Sequence, residues 1–221
     1  MRKMLLSLLM VTGCVIGTND TGGGGDDGTG DPMTDPDPDP NPQPQPQPGV
    51  CALPDSTADA GNLAATKAQQ CNVPGSAGTK KWYRVAATLP GTMDYVQIEL
   101  WDGRGAFGAG AVAPGTYPIS GAELNPTTCG ICVRGLGDKG AATQKEYFAT
   151  GGTVQVTSVG GAGTAVSVTL TNATFAEIDA AKATVAGGCT ATVSRAKLDG
   201  TIVAVTGGGG GGGGCPATIG D

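Results

Sequence analysis

Cys129 and Cys132, in the stretch CGIC, have the spacing of a redox pair or of half a zinc site. A redox pair needs its first thiol at a helix N-terminus, where the thiolate is stabilised. Here CGICVRGLGD reads as a strand with no helix after it. A zinc site needs a second such pair, and the sequence has none. Histidine is absent altogether, which removes the commonest general base and the commonest metal ligand together. Ser-His-Asp and Cys-His hydrolases and His-based zinc sites are thereby excluded, and no metal or cofactor is expected. Glu99 and Asp102 flank Trp101, and paired carboxylates beside an aromatic can cleave a glycosidic bond. Residues three apart on a strand face opposite ways, so a solvated strand end is the expected reading. Trp82, Tyr95 and Trp101 offer ring faces for a sugar, against the rival reading of packing in the core or under loops. GRGAFG (103–108) matches a dinucleotide loop by letter, but Pro114 and Pro118 follow where a helix must start. A hairpin turn or loop explains it. The sequon NAT (172–174) is given no weight.

The elements that must hold these residues are strands. YVQIELW sets Val96, Ile98 and Leu100 against Tyr95, Gln97, Glu99 and Trp101. KWYRVAATL, TVQVTSV and TAVSVTLTNATF alternate in the same way, which is the period of a half-buried strand. Gly/Pro turns such as LPGTMD, WDGRG and VGGAGT separate them. Roughly eight short strands at this spacing predict an all-β domain, an antiparallel β-sandwich of jelly-roll or Ig-like type. Residues 56–70 have the composition for one or two helical turns, and 176–188 reads as an extended strand followed by a loop. The domain is expected over 51–205, followed by a poly-Gly and Cys-containing tail over 206–221.

Charge is uneven along the 221 residues. Lys and Arg total 13 against 19 acids. Residues 15–50 hold Asp20, Asp26, Asp27, Asp31, Asp35, Asp37 and Asp39 and no base, so residues 51–221 are nearly neutral. No basic surface for nucleic acid is expected. Glycine and aspartate, then alternating proline from Pro36 to Pro48, make 14–50 a disordered tether. The proline part is a semi-rigid spacer of about 40 Å. Alternating prolines hold the aspartates apart, which argues against a calcium loop.

The first residues, MRKMLLSLLMVTGC, place a basic start before a short apolar run. A membrane span needs about 20 apolar residues; this run is shorter and fits a signal peptide over 1–13. VTGC (Val11, Thr12, Gly13, Cys14) resembles the lipobox of bacterial lipoproteins. The resemblance implies cleavage between Gly13 and Cys14 and lipid on Cys14. Val15, where an aspartate would retain such a protein at the inner membrane, implies the outer membrane, on its periplasmic or outer side. It covers the leader and anchor only.

With Cys14 assigned to lipid, Cys51, Cys71, Cys129, Cys132, Cys189 and Cys215 remain as disulfide candidates. An oxidising compartment permits three bridges, and fifteen pairings are open. Chain order favours Cys51 with Cys71 and Cys189 with Cys215, although the glycines 207–214 let Cys215 reach several partners. Cys129 and Cys132, on opposite faces of a strand, are expected in two separate bridges. The function expected is that of a non-catalytic interaction or structural module on a membrane anchor, with an envelope protein or a glycan as partner. A carbohydrate-binding module comes next, and a carboxylate hydrolase last.

Overall fold

The computed structural model describes residues 51, 53, 57–72, 80–108 and 110–205, with the backbone alone at Thr57 and Ala58. Gly13, Cys14, the tether, Cys215 and the tail lie outside the described residues. Everything described belongs to Pro46–Asp221, the second of two units in the chain.

The described residues are all-β, as the alternation predicts. The strands are β1 (Thr57–Ala64), β2 (Lys67–Asn72), β3 (Lys81–Thr88), β4 (Tyr95–Trp101), β5 (Gly115–Pro118), β6 (Ile131–Gly137), β7 (Lys145–Ser158), β8 (Ala165–Ile178), β9 (Thr190–Thr201) and β10 (Val203–Ala204). Two short 3-10 turns, Gly105–Phe107 and Gly121–Leu124, interrupt the long connection from β4 to β6. Where helical turns were expected, over 56–70, β1 and β2 stand instead. The alanines there have high helix propensity, but pairing with β9 and β3 overrides it. Residues 176–188 behave as read: β8 runs to Ile178, and a loop follows, pinned by one bridge from Ile178 to Thr184.

Two parts of the expected architecture are corrected. The strands do not divide into two sheets; they form one, in the order β1-β9-β8-β7-β6-β4-β3-β2-β10, with β5 added to β7. Nor is the pairing wholly antiparallel, because β1 on β9 and β10 on β2 are parallel. These two parallel pairs are one seam. β1 continues into β2 across Ala65 and Thr66, and β9 continues into β10 across Ile202. The Ala65 N–H donates to Asp199 O at 2.7 Å and the Thr66 N–H to Ala86 O at 2.8 Å, so the bend is bonded on both sides. The sheet therefore curls until its ends meet, and one interior receives the apolar side of every long strand.

That interior is lined mainly by Val, Ala and Leu, with Tyr83, Phe107, Tyr147 and Phe175 as the aromatic members. Leu53 plugs it, and its N–H donates to Tyr147 Oη at 3.2 Å. Gly135 leaves the room, since a Cβ there would press on Leu53 and Tyr147. The β7–β8 hairpin bends at a bulge, where Asn172 (φ 49°) faces Gly152 (φ 118°). A bulge bends a strand and increases its twist, which lets two 14-residue strands follow the curl.

Candidate functional site

Burial differs between the two sides of the sheet. β8 and β9 alternate buried and accessible positions, the pattern of a sheet with one wet face. β3, β4 and β6 are buried on both faces. Alternation that sends Val85, Ile98 and Val133 inward sends Arg84, Gln97, Glu99 and Arg134 outward. The register then sets Arg84 beside Glu99, Gln97 beside Arg134, and Trp82 beside Trp101. This outer face carries a second apolar cluster of Cys71, Trp82, Trp101, Cys129, Cys132, Phe148 and Ile178.

Glu99 is the centre of the face and is fully buried. Its Oε2 accepts from Trp82 Nε1 at 3.2 Å and Trp101 Nε1 at 3.3 Å, and its Oε1 accepts from Gln97 Nε2 at 2.7 Å. Arg84 Nη2 lies 3.5 Å and Arg134 Nη1 3.9 Å from the same Oε1. Arg134 also bonds Glu146, which pairs with Lys182 at 2.8 Å. A buried carboxylate needs such donors to offset its lost hydration. Above the row lies a hollow of about 180 Å³, lined by Arg84, Gln97, Arg134 and Leu136. Lys67 stands nearby, and its ammonium pKa is lowered, first by burial and then by the charges of Arg84 and Lys139.

The candidate aromatics do not form an open platform. Trp82 and Trp101 are 0% and 1% exposed, with ring centroids 6.1 Å apart. Arg84 covers the Trp82 ring at 4.6 Å and Arg104 the Trp101 ring at 4.7 Å. Tyr95 sits apart from them, with Lys139 Nζ 3.8 Å above its ring. Neither indole leaves an open face on which a sugar could stack. The candidate carboxylates are committed to structure. Asp102 accepts from Lys81 N at 2.9 Å and Val112 N at 2.7 Å, fastening the β4 end to its loop. The strand end expected to be solvated is therefore buried, because these groups need partners.

The cysteine expectations are corrected in two places. Cys51 is bonded to Cys189, which rules out both expected pairings, Cys51 with Cys71 and Cys189 with Cys215. Closure along the seam brings the start of the domain to the start of β9, which chain order does not reveal. Cys129 and Cys132 are bonded to each other. The rule of opposite faces fails because Cys129 lies in a turn, its N–H donating to Asn125 O at 3.1 Å, and β6 begins only at Ile131. Cys71 is disulfide-bonded as well.

GRGAFG is a packing device. Gly105, at φ 43°, lies against Glu123 and the Gly130 backbone, where a Cβ would collide with both. Glu123 accepts from Ala106 N and Ile131 N, each at 2.5 Å, and so ties this loop to the CGIC turn. No group of three or more metal-ligating side chains comes together among the described residues. Arg84, Gln97 and Arg134 escaped the sequence reading. Their signal was a charge or amide at an outward position, next to Trp82 for Arg84, Glu99 for Gln97 and Cys132 for Arg134.

No family model matches the chain, and no curated protein or solved structure is similar to it.

Proposed function

We propose that this chain is a lipid-anchored envelope protein whose β-domain is a non-catalytic interaction or structural module. In this reading residues 1–13 are removed, Cys14 carries the lipid, and 14–50 hold the domain away from an outer membrane. The single observation that carries it is VTGC at 11–14, behind Arg2, Lys3 and a short apolar run. Disulfides at Cys51–Cys189 and Cys129–Cys132 support it, because such bonds persist in oxidising compartments. Each buried CH₂ of an acyl chain contributes about 0.8 kcal/mol, so two or three chains anchor stably where one is marginal. The curled sheet acts as a sandwich would, with facing halves sharing one core. Its buried carboxylates serve structure, which favours a module over an enzyme. Among the described residues no helix is long and apolar enough to cross a membrane.

The test is lipid labelling. Cells expressing the full chain and fed labelled palmitate should yield a labelled protein in the membrane fraction, and Cys14→Ser should remove both label and membrane association. Label retained by Cys14→Ser defeats the assignment.

A further inference from the structure

The hollow on the outer face is walled by two guanidinium groups, one amide and one apolar side chain. Arg84 and Arg134 bound it on two sides, the Gln97 amide lies between them, and Leu136 adds an apolar wall. Each arginine is fixed before any ligand arrives: Arg84 by Glu99 and the Trp82 ring, Arg134 by Glu99 and Glu146. Such fixing removes much of the rotamer entropy that a long side chain otherwise loses on binding. Arg134 already serves two carboxylates, through Nη1 and Nη2. A guanidinium presents five N–H donors in a rigid fork suited to planar carboxylates. Lys67 and Lys139 stand on the same side, and the Lys67 pKa is lowered first by burial and then by the charges of Arg84 and Lys139. Two cations thus line the cavity, each paired with a carboxylate, and two more stand on the same side.

We propose that the hollow between Arg84, Gln97 and Arg134 binds a carboxylate on an aliphatic stem. The guanidinium forks take the oxygens, and Leu136 packs the stem. The volume of about 180 Å³ suits a small acid or one acidic side chain. The site is independent of the anchor and stands whether or not Cys14 is lipidated. Asp221, after the last described strand in the sequence, is a second source of the same group.

Succinate is the probe, titrated into the full chain at constant ionic strength. The readout is the indole N–H signals of Trp82 and Trp101, the only tryptophans, both bonded to Glu99 beneath the hollow. A saturable shift is expected, weakened at least tenfold in Arg84→Gln and in Arg134→Gln. Arg84→Lys keeps the charge but loses the fork and should fall between. Gln97→Ala, which leaves both arginines in place, should weaken binding severalfold and covers the case of an arginine variant that does not fold. A response in the unchanged chain assigns the site to an external acid. One seen only in Asp221→Asn assigns it to the chain's own carboxylate. Equal shifts with neutral succinamide or with sodium chloride, no shift in either background, or titrations unchanged by all four site substitutions would overturn the proposal. The label on Cys14 and the indole signals report on different atoms, so failure of one reading leaves the other standing.

Discussion

Glu99 shows how a single residue can hold a face together. It is fully buried, yet each oxygen accepts, and two arginines approach the same carboxylate. Removing one partner of a buried ion pair costs about 3–5 kcal/mol, because the remaining charge stays desolvated. Glu99→Gln should therefore lower stability by about 3 kcal/mol and shift the fluorescence of both tryptophans. Chemical denaturation with tryptophan emission checks this, and a loss under about 1 kcal/mol would mean the arginines find equal partners elsewhere. In the sequence Glu99 stands out with Asp102 as a carboxylate beside Trp101, but its partners do not. Its role depends on Trp82 and Arg84 from β3 and Arg134 from β6, and strand register is not written in any one strand. Of the two readings open for the tryptophans, an exposed sugar face or packing in the core, the structure shows packing.

Strands with strong alternation were legible as elements; their order and closure were not. β4 and β8 follow directly from period two, whereas β1 is Ala-rich, β2 is mostly polar, and both owe their state to the strands they pair with. The loop from β8 to β9 depends likewise on tertiary contacts. Burial alone would raise the Glu177 pKa, but hydrogen bonds from the Cys189 N–H and Lys145, with the Lys145 charge, hold it below the ordinary value. Both donors lie at 3.0 Å from Oε2. A carboxylate with a depressed folded pKa contributes stability above its unfolded pKa, and this is lost as pH falls through the folded one. The stability gap between the native chain and Glu177→Gln should thus be full near neutrality and shrink as pH drops below about 4. Urea midpoints of the two proteins across that range are the measurement. A gap that widens toward acid would contradict the assignment.

For the whole molecule, the decisive covalent fact is which ends are joined. Cys51–Cys189 spans 138 residues, nearly the length of the domain, while Cys129–Cys132 spans three. A cross-link acts largely by restricting the unfolded chain, and the chain-entropy relation gives about 5 kcal/mol for the first and under about 2 kcal/mol for the second. Both ends of the long bridge lie where the sheet closes: Cys51 precedes β1 and Cys189 precedes β9, its parallel partner. The bridge therefore fixes the parallel seam, whose pairing is the most distant in sequence and the slowest kind to form. Replacing both cysteines of one bridge by alanine separates this effect from packing. Loss of the long bridge frees the unfolded chain to expand, so the denaturant slope m should rise as the midpoint falls. Loss of the short bridge removes atoms from the cluster around Trp82 and Trp101, lowering the midpoint by packing while leaving m nearly unchanged. Equal m values in the two alanine pairs would show that Cys51–Cys189 holds the seam through native contacts rather than by constraining the unfolded chain.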